Sequence, residues 1–315
     1  MSKLKQFIKN VSPLNNRTEM PTILYIIKVV IIFWFVKFVS ELIAEGVVIA
    51  LHFACNKNPL QGEMFESGTI MLISYFGYGL MVAIMILYWK LFQKKTLSKL
   101  GFTGNVGTYL IGGFIGMVLV GASVSLIILT GAITFNGVFK DIDHIYILLM
   151  LLAFVCQGAM EEVLCRGIVL QLLKYRTSLP IAITVSTALF VIPHLFNMTG
   201  TGIGIIFFAV VNLILISLVF SFSTIYFKSI WPACGLHTIW NFIVYNILGL
   251  NLSGNDEMTA AVFDLRSVGS NVLNGGEYGI EASVITSVVC AGALVICCFI
   301  SRAKENGKGG ANDGI

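Results

Sequence analysis

The chain has 315 residues, of which 57% are hydrophobic and only 11% charged, with a formal net charge of +4 and a mean hydropathy of +0.89. A soluble fold could not bury this much apolar surface and still leave enough polar residues to coat its exterior. The composition therefore excludes a soluble enzyme, a disordered protein and a nucleic-acid-binding protein, and it indicates an all-α polytopic membrane protein.

In chain order, the sequence begins with a basic, amphipathic segment at residues 1–21, which we expect to lie on the membrane surface. Apolar runs near the roughly 20 residues that a membrane-spanning helix needs then predict about eight spans. They cover residues 22–52, 67–89, 108–131, 145–173, 179–197, 203–226, 230–250 and 282–301. The predicted organisation is three spans with their loops over 22–144, a core of four spans over 145–250, a loop over 251–281, a last span over 282–301 and a tail over 302–315.

Lysine and arginine indicate how these spans cross the membrane. They concentrate before the first span, in every even-numbered loop and after the last span, whereas the odd-numbered loops are poor in them. The positive-inside rule then predicts a multi-pass protein of the cell membrane with both termini in the cytoplasm. The loop over 251–281 would lie on the opposite side, and it carries acidic residues, namely Asp256, Glu257, Asp264, Glu277 and Glu281. It is either a solvated loop or a lid over the helix bundle.

Charged residues inside the spans are the next signal, because each costs about 2.5–3.5 kcal/mol at mid-membrane unless it has a partner or faces a cavity. In the first span, Lys37 and Glu41 are four residues apart, so they share a helix face and predict an internal ion pair.

The fourth span carries Glu161, Glu162 and Arg166. Glu162 and Arg166 are four residues apart in the favourable order, whereas Glu161 is rotated about 100° away on the helix and is less easily neutralised by Arg166. A structural polar cluster of all three residues is one interpretation. Its weakness is that one arginine needs one carboxylate, so Glu161 is a candidate catalytic base in a dry site.

The fifth and seventh spans add two further motifs, Phe190-x-x-x-His194 and His237-x-x-x-Asn241. Taken singly, such a histidine is typical of a satisfied core residue, and the His–Asn pair is typical of helix packing. Counted from the predicted cytoplasmic ends of their spans, Glu161, His194 and Asn241 lie roughly 17–22 Å deep. We therefore expect one shared site in the cytoplasmic half of the bundle.

These three segments together resemble the CAAX protease and bacteriocin-processing family of intramembrane endopeptidases. The pattern of that family is EExxxR, FxxxH and then HxxxN or HxxxD on successive membrane helices. The matching residues here are Glu161, Glu162, Arg166, Phe190, His194, His237 and Asn241. The resemblance covers about a third of the chain, over residues 145–250.

The resemblance implies an endopeptidase that cleaves a polypeptide presented at the membrane. Glu161 would be the general base, and His194 would help to orient and activate water. His237 and Asn241 would stabilise the oxyanion of the tetrahedral intermediate. The other motif residues would shape the site, namely Glu162, Arg166 and Phe190.

No cofactor is expected to be required, because asparagine is a poor zinc ligand but a good oxyanion donor. The alternative is a zinc ion held by Glu161, His194 and His237, a ligand set with an open position. Two other functions stay open. One is a non-catalytic peptide-binding or immunity protein, and the other is a proton-coupled transporter, although no inverted repeat is visible.

The short basic loops favour a prokaryotic origin, while the substrate and the oligomeric state cannot be read from the sequence. A prenylated tail and a bacteriocin leader would both fit as substrates.

Overall fold

The computed structural model describes residues 3–198, 201–255 and 260–309, and most of them are helical. The α-helices are α1 (Lys3–Val11), α2 (Thr22–Ala54), α3 (Ser67–Tyr88), α4 (Leu97–Leu100), α5 (Thr108–Leu129), α6 (His144–Glu162), α7 (Leu170–Lys174), α8 (Leu179–His194), α9 (Ile203–Phe227), α10 (Trp231–Phe242) and α11 (Val284–Gly309). Two short strands, β1 (Ile133–Val138) and β2 (Phe263–Ser267), form the sheet of the described residues. The predicted all-α class is confirmed.

Seven helical stretches of the described residues are long and apolar enough to cross a membrane, which makes this a multi-pass membrane protein. They are Thr22–Ala54, Ser67–Gln93, Thr108–Leu129, His144–Lys174, Leu179–Met198, Ile203–Phe227 and Val284–Arg302. The segment predicted over 230–250 differs from the rest. It consists of twelve α-helical residues in α10 and five π-helical residues, Ile243–Ile247, and so falls short of a full span. Most of α10 is buried in the bundle instead of facing lipid.

Glycines allow α5 and α10 to pack closely at the centre of the bundle. A Cβ atom at Gly112 would lie 1.8 Å from the carbonyl oxygen of Pro232, and one at Gly235 would lie 2.0 Å from that of Tyr109. Any larger residue would therefore push the two backbones apart. This contact fixes the position of α10, the helix that carries His237 and Asn241.

The fourth span is interrupted just after its two glutamates. α6 ends at Glu162, and residues Val163–Val169 form a π-helical segment before α7 continues to Lys174. All seven residues of this segment are buried, including Arg166. π-Helical turns are rare and are frequent at functional sites, because they change the direction in which neighbouring side chains point.

The connection between α10 and α11 folds back onto the bundle, and its described residues, 248–255 and 260–283, are called the cap below. β2 of the cap pairs antiparallel with β1, with Ile133 opposite Ser267. Asn274 in the cap also donates from Nδ2 to the carbonyl oxygen of Ala132, at 3.0 Å. These contacts tie the cap to the connection between α5 and α6.

Some predicted features lie outside the described residues. They are residues 1–2 of the basic segment, residues 310–315 of the tail, and Asp256 and Glu257 of the acidic loop.

Candidate active site

Glu161 lies at the end of α6 with its two carboxylate oxygens in different surroundings. Oε1 accepts a hydrogen bond from Nε2 of Gln157, at 2.7 Å. Oε2 has no hydrogen-bond partner among the described residues and faces two imidazoles, with His194 Nε2 at 3.7 Å and His237 Nε2 at 4.0 Å. These separations are too long for direct hydrogen bonds, but a single water molecule can bridge them.

His194 is the last residue of α8, and its ring is fixed by its own helix. Nδ1 lies 2.8 Å from the carbonyl oxygen of Phe190, one turn earlier. Because a carbonyl oxygen can only accept, Nδ1 carries the hydrogen and the neutral ring presents the lone pair of Nε2 to Glu161. Phe190 also packs against the ring, with centroids 4.8 Å apart. The FxxxH spacing thus sets both the tautomer and the orientation of His194.

His237 is oriented by Glu162 in the same manner. Its Nδ1 lies 3.0 Å from Oε1 of Glu162, and its ring stacks on Phe220 at a centroid distance of 5.0 Å. Since a carboxylate accepts, Nδ1 donates, and the neutral ring again presents a lone pair at Nε2. His237 can therefore donate to an oxyanion from Nε2 only as an imidazolium.

Glu162 and Arg166 form the ion pair predicted from their spacing, with both side chains fully buried and 3.1 Å between Oε1 and NH1. NH2 of Arg166 donates to the carbonyl oxygen and to Oγ of Ser217 in α9, at 3.0 and 2.6 Å. The guanidinium group lies over the rings of Phe190 and Phe220. Arg166 therefore pairs with Glu162 and not with Glu161, as the sequence predicted.

Asn241 reaches Glu161 through Gln157. Its Nδ2 donates to Oε1 of Gln157 at 2.8 Å, and Nε2 of Gln157 donates to Glu161 in turn. An amide nitrogen has two hydrogens, so one hydrogen of Asn241 Nδ2 is left for another acceptor. Gln157, one helical turn before Glu161 and on the same face, thus links Asn241 to Glu161, and the family pattern does not include it. Ser217, which accepts a hydrogen bond from Arg166, is a second contact residue outside the family pattern. Its sequence signal was a polar side chain in a mostly apolar helix.

These side chains line an internal cavity of about 190 Å³. It is lined by motif residues of α6, α8 and α10 and by Leu252, Ser253 and Glu281 of the cap. Residues of the cap and of the motifs thus line the same cavity.

A second cavity, of about 290 Å³, meets the first at Glu161 and His194. It runs between α2 and α8 and is lined by Lys37 and Glu41, which form the predicted ion pair. We call it the side groove.

The spacing of the donor atoms decides whether the site fits a zinc ion. Around a tetrahedral zinc ion with ligands at 2.0–2.1 Å, donor atoms lie about 3.3–3.4 Å apart. The 3.7 and 4.0 Å separations here are wider, and no group of three or more His, Cys, Asp or Glu residues in the described chain has the arrangement of a metal site. The donor types suit a metal, but their spacing does not.

The comparisons with known proteins agree with the motifs. Residues 143–243 match the family described as type II CAAX prenyl endopeptidase, Rce1-like, and all seven motif residues fall within that range. The resemblance found in the sequence is thereby confirmed for this third of the chain, and the match supports intramembrane protease activity. No curated protein and no solved structure matches the chain.

Proposed function

We propose that the protein is an intramembrane endopeptidase in which Glu161 and His194 activate a water molecule to hydrolyse a peptide bond. The observation that carries the proposal is the convergence of Glu161 Oε2 and His194 Nε2, which are both hydrogen-bond acceptors. Two acceptors facing each other at 3.7 Å require a donor between them, and a water molecule supplies one hydrogen to each. Its oxygen lone pair then points away from both.

In the first step, the water oxygen attacks the carbonyl carbon of the scissile bond while Glu161 takes a proton from it. The carbonyl oxygen becomes an oxyanion. His237, as an imidazolium paired with Glu162, and the remaining N–H of Asn241 donate hydrogen bonds to that oxyanion. In the second step, the C–N bond breaks and protonated Glu161 returns its proton to the leaving amine, which restores the carboxylate. No external acid, base or metal is needed for this balance.

Glu162, Arg166 and Phe190 act through other residues. Glu162 orients His237 and stabilises its charged form, and Arg166 holds Glu162 in place through their ion pair. Phe190 holds the ring of His194 from one side and covers the guanidinium of Arg166 from the other.

The substrate is a polypeptide held at the membrane, and the side groove is its path to Glu161. This groove opens between two membrane-spanning helices and joins the internal cavity at the catalytic carboxylate. A chain lying across this junction would place one bond beside Glu161, with the residues on either side in different cavities. The ion pair of Lys37 and Glu41 lies on the wall of the groove and gives polar backbone groups a partner there.

The test is turnover of membrane-tethered peptides by purified protein in lipid nanodiscs. Glu161→Gln keeps the shape of the side chain but removes the base, and we expect kcat to fall by about 10²–10⁴-fold, the usual contribution of a general base. Glu45→Gln is the matched control, because Glu45 is an exposed glutamate of α2. Undiminished turnover in Glu161→Gln would refute the mechanism. Binding of peptide without any cleavage by the wild type would favour the non-catalytic alternative instead.

A further inference from the structure

A third carboxylate, outside the family pattern, faces the internal cavity from the cap. Glu281 lies just before α11 and lines the cavity opposite the catalytic residues. Glu281 is half-buried. It lies within electrostatic range of His194 and His237.

Glu281 is held in place from two sides. Its Oε2 accepts from the backbone N–H of Ser253 at 2.7 Å and from Ser253 Oγ at 2.6 Å. Its carbonyl oxygen accepts from Nδ2 of Asn212, a buried residue of α9, at 2.9 Å. The side chain is therefore anchored to the cap and its backbone to the bundle, so the carboxylate keeps one orientation.

The charges around the cavity leave Glu281 without a counter-charge. Arg166 neutralises Glu162, and the imidazolium of His237 balances Glu161 in the proposed mechanism. The described residues that line the cavity include no lysine and no arginine. Burial raises the pKa of the Glu281 carboxyl, while the hydrogen bonds from Ser253 and the nearby His194 lower it. Ionising this carboxyl is thus unfavourable until a cation joins it.

Thr286 adds a second, independent sign of a ligand. This residue of α11 also lines the cavity, and its side chain is buried, with 1% of its surface exposed. Its Oγ1 has no hydrogen-bond partner among the described residues. Buried hydroxyl groups are nearly always paired, so an unpaired one on a cavity wall indicates a polar group that arrives with the substrate.

From these observations we infer that Glu281 binds a cationic nitrogen of the substrate, so that the enzyme prefers a polypeptide with a positive charge close to the scissile bond. The ammonium or guanidinium group sits between the Glu281 carboxylate and the Thr286 hydroxyl, which both accept hydrogen bonds. The charge comes either from a basic side chain or from a free amino terminus. The inference rests on the proposed function only in taking this cavity as the substrate site.

Binding tests the inference without requiring cleavage. The protein carries Glu161→Gln, and the probes are fluorescent, acylated peptides in nanodiscs. In the first series the amino terminus is acetylated and a single lysine is moved through successive positions. The second series has a free amino terminus and uncharged norleucine in place of lysine. The reference peptide has norleucine in place of lysine and an acetylated amino terminus. We expect one lysine position, or the free terminus, to lower Kd by on the order of ten-fold relative to the reference.

Adding Glu281→Gln should abolish that preference, and Glu281→Asp should keep part of it because the charge stays. Glu277→Gln, which alters an exposed carboxylate of the same cap, is the matched control and should leave the preference unchanged. Equal binding of all peptides by the Glu161→Gln protein would overturn the inference, and so would a preference that survives Glu281→Gln. A charge preference in a protein that never cleaves would leave the inference intact while refuting the proposed peptidase.

Discussion

Replacing Glu162 by glutamine is expected to affect stability and catalysis through separate causes. The substitution keeps an acceptor for His237 Nδ1 but removes the negative charge that Arg166 faces. Both side chains of the pair are fully buried, so Arg166 would keep its charge in a site from which water is excluded. Removing one partner of such a buried pair costs about 3–5 kcal/mol of the free energy of unfolding.

A double variant separates the two causes. In Glu162→Gln/Arg166→Met, no uncompensated charge is left, so we expect most of the lost stability to return. Activity should not return with it, because His237 no longer has a carboxylate to stabilise its imidazolium form. The loss of one oxyanion donor corresponds to a fall in kcat of about 10²–10³-fold in both the single and the double variant.

The measurements are the free energy of unfolding in mixed micelles and kcat on a tethered peptide, for the wild type and both variants. Two results would refute the reasoning. A double variant no more stable than Glu162→Gln would show that the uncompensated charge is not the cause of the destabilisation. Wild-type kcat in the double variant would show that Glu162 has no role beyond folding.

Three further predictions concern packing, pH and metal. Gly235→Ala places a Cβ 2.0 Å from the carbonyl oxygen of Tyr109 and should lower the free energy of unfolding by at least about 1–3 kcal/mol. The control Gly121→Ala should leave that free energy unchanged, because no atom lies within 4 Å of the added Cβ. Equal effects of the two substitutions in a denaturation series would contradict the packing argument. The raised pKa of Glu281 means that the native state binds more protons than the unfolded state above pH 4.5, the ordinary value. The free energy of unfolding should therefore fall as pH rises from 4.5 to the raised pKa. If Glu281→Gln leaves the slope of this free energy against pH unchanged, Glu281 is not the group responsible. Turnover should persist after chelation, and stoichiometric zinc whose removal abolishes activity and whose return restores it would overturn the metal-free mechanism.

Local spacing made several features predictable. The apolar runs give the membrane-spanning helices, because a stretch of that length and composition can only satisfy its backbone as a helix in lipid. Residues four apart share a helix face, so the pairs Lys37–Glu41 and Glu162–Arg166 follow from the sequence. The three family motifs, on three separate predicted spans, together predicted one shared site.

Other features depend on contacts between distant residues. The bond from Asn241 to Gln157 joins α10 to α6, and the contact of His237 with Glu162 fixes a tautomer that no spacing rule gives.

The sequence by itself thus determined a polytopic helical membrane protein, its motif residues and the carboxylate that Arg166 does not neutralise, because helix periodicity and the cost of charges in lipid are local properties. Tertiary structure alone decided which lone pairs converge, where the side groove meets the internal cavity, and that Glu281 of the cap faces the same space as Glu161. Those relations arise from packing between elements far apart in the chain, and only the folded bundle specifies them.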